Sequence, residues 1–289
     1  MRSLTAHTAH VNKVLFSPDS QTILSAGFNG ELFLWEADSG QRTQVFEGHK
    51  QTVNGVSWIE NGKKLLSASG DGKILTHEVT SSSPVQERQD LKSGVQHLRV
   101  TKDEEYLITS TKSNMITLWE LPDGEQVKKV KSDEKNIGVL ETGKCHNHAI
   151  IGGLGQTIRR FDLPSCEVLE QVDGHEGATM GFRFFDEDRH AVSVGYDGVL
   201  ILWDMVTHQA LEKFNVGDQG YYGIAVAPSG LEVAITMAYQ VKRVSLSDLS
   251  VVDNELPAKG NYSADYAPNG ARFVIGSADK TVRLFDLNK

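Results

Sequence analysis

The chain has 289 residues, 39% hydrophobic and 23% charged, the balance of a folded globular protein and not of a disordered or collagen-like one; at that size roughly 75% of the unfolded surface is buried, so neither disulfide nor metal is required. With 38 acidic against 29 basic residues the formal charge is -9, which opposes a phosphate backbone. The densest basic run, Lys128, Lys129 and Lys131, is followed at once by Asp133 and Glu134 and reads as a solvated edge strand, so no nucleic acid partner is expected.

Taken in chain order, the apolar runs end at Trp35, His77, Trp119, Phe161, Trp203, Val244 and Phe285, in steps of 42, 42, 42, 42, 41 and 41 residues. The residues that follow are Glu36, Glu78, Glu120, Asp162, Asp204, Ser245 and Asp286. A register kept this long marks internal repeats. In the first unit Val11 to Phe16 reads as strand a, Ser17-Pro18-Asp19-Ser20 as a turn, Thr22 to Ala26 as strand b, Leu32 to Glu36 as strand c and Gln41 to Phe46 as strand d. Between strands b and c, Asn29-Gly30 predicts a two-residue hairpin with positive φ angles, repeated as Asp71-Gly72 and Asp197-Gly198. No segment carries a sustained helical period.

Four antiparallel strands per unit of about 40 residues make a propeller blade. The expectation is an all-β, seven-bladed β-propeller forming one domain over 1–289, with blades at about 7–46, 49–90, 91–131, 132–172, 175–214, 218–256 and 259–289 plus 1–6. The seventh unit supplies only three strands, ending with Thr281 to Asp286. Residues Arg2 to Thr5 are therefore predicted to complete its sheet and close the ring, removing an open edge.

At this point the chain resembles the WD-repeat β-propeller family along essentially its whole length. Blade five carries the fullest motif, Gly174-His175, Ser193, Asp197 and Trp203-Asp204. The resemblance implies that His175, Ser193, Asp197 and Trp203 form one hydrogen-bonded network, which makes a buried imidazole and carboxylate tolerable. Blade one offers His7, Ser25, Asn29 and Trp35, with Ala6 for Gly and Asn29 for Asp; blade two has Gly48-His49, Ser67 and Asp71 with His77 in the Trp position; blade three keeps Thr109 and Trp119. Blades four, six and seven lack the histidine, and their polar network is expected to be lost, with Phe161, Val244 and Phe285 filling space. Blade five is then the stiffest and blade six the loosest.

Chemistry is sparse. Cys145-His146-Asn147-His148 is placed in an a–b turn without a second ligand pair, so no metal is expected. Cys145 and Cys166 are too few for a disulfide framework, fit a reducing compartment and are not expected to pair. Gly152-Gly153-Leu154-Gly155 sits in a hairpin without the helix that dinucleotide binding needs, and Asp186-Glu187-Asp188 lacks a calcium ligand ladder. No nucleophile setting appears, so neither an enzyme nor a cofactor is expected. No run approaches the roughly 20 apolar residues of a membrane span, and Met1 to Thr5 hold no signal-like run. A cytoplasmic protein, monomeric on its own, is expected.

In the resembled family the d–a and b–c loops line a face where partners dock. The residues opening strand a read Asn12, Asn54, Gln96, Ile137, Met180, Tyr222 and Tyr262, and those before the b–c turn acid read Phe28, Gly70, Lys112, Leu154, Tyr196, Met237 and Ala278. Apolar bulk gathers on the later blades, with Phe28 on the far rim. Aromatic and Met side chains are enriched at hot spots, so Phe28, Ile137, Leu154, Met180, Tyr196, Tyr222 and Tyr262 are predicted to bind a protein or peptide partner. Channel packing is the alternative for the residues that open strand a. For the whole chain, the alternative to a scaffold is a propeller enzyme or small-molecule or metal binder using the central channel.

Overall fold

The computed structural model describes residues 1–289 except 90–92, 123, 135, 144–146, 218–220, 258–259 and 288–289; the side chains of 221–222 and 253–257 are also not described. Seven antiparallel sheets of four strands each follow one another along the chain. Blade one is Val11–Phe16, Thr22–Gly27, Leu32–Glu36 and Arg42–Phe46; blade two is Val53–Ile59, Lys64–Ser69, Ile74–Glu78 and Gln86–Arg88; blade three is Val95–Val100, Tyr106–Thr111, Met115–Glu120 and Gln126–Lys131. Blade four is Ile137–Thr142, His148–Gly153, Thr157–Asp162 and Val168–Asp173; blade five is Thr179–Phe185, His190–Gly195, Val199–Asp204 and Gln209–Asn215. Blade six is Tyr221–Val226, Glu232–Met237, Gln240–Ser245 and Val251–Pro257; blade seven is Asn261–Tyr266, Arg272–Ser277 and Thr281–Asp286, completed by Arg2–Thr5. The chain is a seven-bladed β-propeller.

Within a blade, burial follows strand order. Strand b is covered on both faces, as in the run Thr22-Ile23-Leu24-Ser25-Ala26-Gly27 where everything after Thr22 is buried, so it reads as small and apolar residues without alternation. Strand d is the exposed edge, and Gln126–Lys131 carries its three lysines in water, a charged edge of the kind that resists sheet-to-sheet pairing.

Contacts divide the chain into two compact units, residues 1–95 with 225–289 and residues 96–224. In the first, Arg2–Thr5 runs antiparallel to Thr281–Leu284, with Arg2 opposite Leu284 and Thr5 opposite Thr281. Leu4 is buried there in a core with Val282, Leu284, Val11, Phe33 and Trp35, which ties the closing strand down by apolar packing as well as by its ladder. In the second unit, Val139, Ile150 and Ile158 of blade four pack on Phe182, Phe184 and Trp203 of blade five.

The b–c turns differ from the two-residue hairpins expected. Only the glycine of each pair is left-handed, at φ 91° for Gly30, 83° for Gly72 and 75° for Gly198. Gly27 N donates to Glu31 O (2.8 Å), so Phe28, Asn29 and Gly30 lie inside the closing pair, the geometry of a three-residue loop ending in a left-handed residue. Asn114, Gln156 and Lys280 take the glycine's role in other blades. Blade six has only Ala238 and Tyr239 between its strands b and c, which accounts for the first 41-residue step.

Candidate interaction face and its polar supports

In blade five the expected network is complete. Trp203 Nε1 donates to Ser193 Oγ (2.8 Å), Ser193 Oγ lies 2.7 Å from His175 Nε2, and His175 Nδ1 lies 3.1 Å from both Asp197 carboxylate oxygens. Burial holds the His175 imidazole below its ordinary pKa, so the ring is read as neutral, accepting from Ser193 and donating to Asp197. Burial alone would push the Asp197 carboxyl up, but His175 and the amides of Glu176 and Val199 outweigh it and hold it low. The network thus locks the d–a loop onto the b–c turn.

Blade two repeats the first half, with His49 Nε2 2.9 Å from Ser67 Oγ and Nδ1 3.2 Å from Asp71. Burial opposes ionisation of Asp71, but His49 and the amides of Lys50 and Lys73 hold its pKa at about 2. His77, in the Trp position, turns instead to the carbonyl of Glu47 (2.8 Å).

Blade one corrects the expectation for Asn29. His7 Nε2 and Trp35 Nε1 meet at Ser25 Oγ, 2.7 Å each, but His7 Nδ1 faces Glu31 (3.1 Å), which also accepts from Thr8 N and Thr8 Oγ1. Asn29 is displaced outward and donates to Thr8 Oγ1 (2.8 Å); the longer side chain two residues on reaches the imidazole in its place. Glu31→Ala is expected to cost about 1–2 kcal/mol by stranding the buried His7, while exposed Asn29→Ala changes stability by no more than about 0.5 kcal/mol. Urea unfolding of the two variants decides between the residues.

In blade three, Trp119 Nε1 donates to Thr109 Oγ1 (3.1 Å). Blades four and seven are not stripped of polar structure as expected; they rebuild it with arginine. In blade four Gly155 occupies the position of the turn acid, and Glu134, 2% exposed in the d–a loop, caps Gly155 N and pairs with Arg159 Nη1, both at 2.5 Å. A Cβ on residue 155 would come within 2.6 Å of Glu134 Oε1, so the acid is accommodated because the turn has no side chain. In blade seven the turn acid Asp279 accepts from Thr281 N (3.1 Å) and pairs with Arg283. Arg159 and Arg283 each stand two residues before the phenylalanine that replaces Trp, the one sequence signal that marks them.

The side chains predicted to meet a partner divide. Tyr196 and Leu154, on b–c turns of the second unit, are 57% and 56% exposed, and Met180 is partly buried. The Tyr196 turn is anchored, since Tyr196 N donates to Ala178 O (2.9 Å) ahead of strand a. In the first unit Phe28 and Tyr262 are partly buried and cluster with exposed His10, ring centroids 5.0–6.0 Å apart, with His10 and Tyr262 stacked and Phe28 tilted against both. Ile137 is a correction: it is 1% exposed and pairs with Gly153 as Val11 pairs with Gly27. It is thus the buried first residue of its strand, and Gly138 holds the position of Asn12. Met237 is likewise buried, and Ala238 stands at its turn. The Tyr222 side chain lies outside the described residues. Asn12 and Asn54 donate across to Val53 O and Val95 O, 2.7 Å each, so these two polar members of the series stitch blades together.

Cys145 and His146 lie outside the described residues. His148 opens strand b instead of the expected turn, buried with its ring edge-on to Phe184, and Cys166 is a buried free thiol. Among the described residues no group of three or more His, Cys, Asp or Glu is placed to hold a metal, and no helix is long and apolar enough to cross a membrane.

Four-stranded blades, a sheet closed by the first strand and His–Ser–Trp supports under the turns define a repeat propeller of the kind typical of protein-interaction scaffolds. The family model for the WD domain, G-beta repeat, matches residues 1–36, 40–75, 166–204 and 259–286. Over these four stretches the chain carries WD repeats. The Notchless protein homolog of Arabidopsis thaliana is 46% identical over 48 residues, 17% of this chain and only 10% of that protein's length. The crystal structure of the WD40 beta propeller domain of Doa1 matches with a TM-score of 0.88 over 100% of this chain and 96% of that one, at 21% identity, a likeness of fold.

Proposed function

We propose that residues 1–289 act as one domain, a non-catalytic scaffold that binds a protein or peptide through the face carrying its b–c turns and d–a loops. Tyr196 carries the reading. A large aromatic is held in water on a turn fixed at its base by the Ala178 carbonyl and, one residue on, by the His175–Asp197 lock. A rigid exposed aromatic binds at little entropic cost and is a typical hot-spot residue. Leu154 extends apolar surface on the neighbouring turn, and His10, Phe28 and Tyr262 offer a second aromatic patch in the other unit. Recognition then rests on shape and apolar contact, without bond making.

The test is affinity capture with the intact chain, the retained proteins identified by mass spectrometry. Tyr196→Ala with Leu154→Ser is expected to reduce the specific partner at least about tenfold while the melting temperature stays within about 2 °C. Unchanged retention by the folded double variant would overturn the reading.

A further inference from the structure

The residue just before the Trp position of strand c reads Leu34, Thr76, Leu118, Arg160, Leu202, Arg243 and Leu284 around the repeats. Leu34, Leu118 and Leu284 pack into cores shared with the following blade. Arginine at this place puts a cation where the fold uses aliphatic filling. In blade four the result is nearly closed: Arg160, with Glu170 and His208, borders a void of only about 20 Å³ filled in by Phe182, Trp203 and Met205. In blade six it is open. Arg243 lines a cleft of about 480 Å³ with Leu231, Ser245, Ser247, Val252, Tyr266 and Leu287, within the usual range for ligand sites of about 300–1,000 Å³.

Arg243 is held rigidly. Its Nε and Nη2 donate side-on to Glu232 Oε1 and Oε2, 2.7 Å each, and the Tyr266 hydroxyl donates to the same carboxylate. A guanidinium has five N–H donors in one plane; the side-on pair takes Nε and one N–H of Nη2, the Tyr266 hydroxyl also meets the group, and the end-on edge of Nη1 with the outer N–H of Nη2 is the one suited to a second planar oxyanion. The Ser245 and Ser247 hydroxyls, 2.9 Å apart, stand on the same wall. Leu231 and Val252, at 63% and 51% exposure, border the cleft with aliphatic surface. A fixed cationic fork beside an aliphatic wall fits a carboxylate borne next to an apolar side chain.

We propose that this cleft binds the free C-terminal carboxylate of a peptide whose last side chain is aliphatic, with Arg243 receiving the carboxylate and Leu231, Val252 and Leu287 the side chain. Glu232 is a positioning residue that fixes the guanidinium plane. The site shares no residue with the Tyr196 turn, so each reading can fail alone.

The test is fluorescence polarisation with a labelled hexapeptide ending in leucine, as free acid and as C-terminal amide, on the full chain. The acid is expected to bind at least about tenfold more tightly than the amide, a difference of about 1.4 kcal/mol. Arg243→Leu made together with Glu232→Gln, which strands no charge, should remove that preference. Leu231→Glu, at an exposed position that spares the fold, should weaken the acid about tenfold, and Tyr196→Ala should leave it unchanged. No binding of the acid, equal binding of acid and amide, or inorganic phosphate competing as well as N-acetyl-leucine would each overturn the proposal, the last by marking a small-anion site.

Discussion

Glu134→Ala is expected to lower the stability of the chain by about 3–5 kcal/mol, the cost of leaving one partner of a buried ion pair behind. The side chain of Glu134 is 1% exposed and that of Arg159 19%, so the cation left behind has only limited access to water. Two groups are stranded at once, the Arg159 guanidinium and the Gly155 amide. Replacing both charged residues, as Glu134→Met with Arg159→Met, removes the stranded cation but still leaves the Gly155 amide without its acceptor, so it should recover only part of the loss and remain about 1–3 kcal/mol below the parent. Urea midpoints at constant slope measure both variants. A single variant no worse than the double one would mean that Glu134 is not a structural anchor.

The second large effect belongs to Ser193. Its hydroxyl takes the Trp203 indole N–H and sits against His175 Nε2, so Ser193→Ala strands two buried polar groups and is expected to cost about 3 kcal/mol. Thr109 holds the same register in blade three and, among the described side chains, serves the Trp119 indole. Thr109→Val, nearly isosteric, is expected to cost about 1–2 kcal/mol. Equal losses in the two blades would show that the imidazole adds nothing to the junction.

The 42-residue period made the architecture readable because each blade must present the same inward faces to its neighbours, and side-chain volume cannot drift without opening a gap. Strands a, b and c of blade one follow the expected limits almost residue for residue, and the closing role of Arg2–Thr5 follows from a sheet one strand short. The supports were harder to read, because a carboxylate is recognised by where it reaches and not by its place in a motif. Glu31 serves His7 from two residues beyond the expected site, and Glu134 serves a turn whose own residue is glycine. Ile137 misled because a glycine followed it: with Gly138 silent in the apolar pattern, the buried residue next to it was read as the exposed one. Side-on pairing such as Arg243 with Glu232 joins strands c and b, eleven residues apart, and no local spacing rule announces it.

The clasp of Arg2–Thr5 on Thr281–Leu284 also sets a timetable. A ribosome makes Arg2–Thr5 before the other six blades and Thr281–Leu284 after them, so blade seven cannot complete its sheet until all six have emerged. Until then Leu4 has no Val282 or Leu284 to rest on. The nascent molecule must keep this one strand unpaired while six blades are made, and the slowest step of its maturation is expected to be this last long-range pairing.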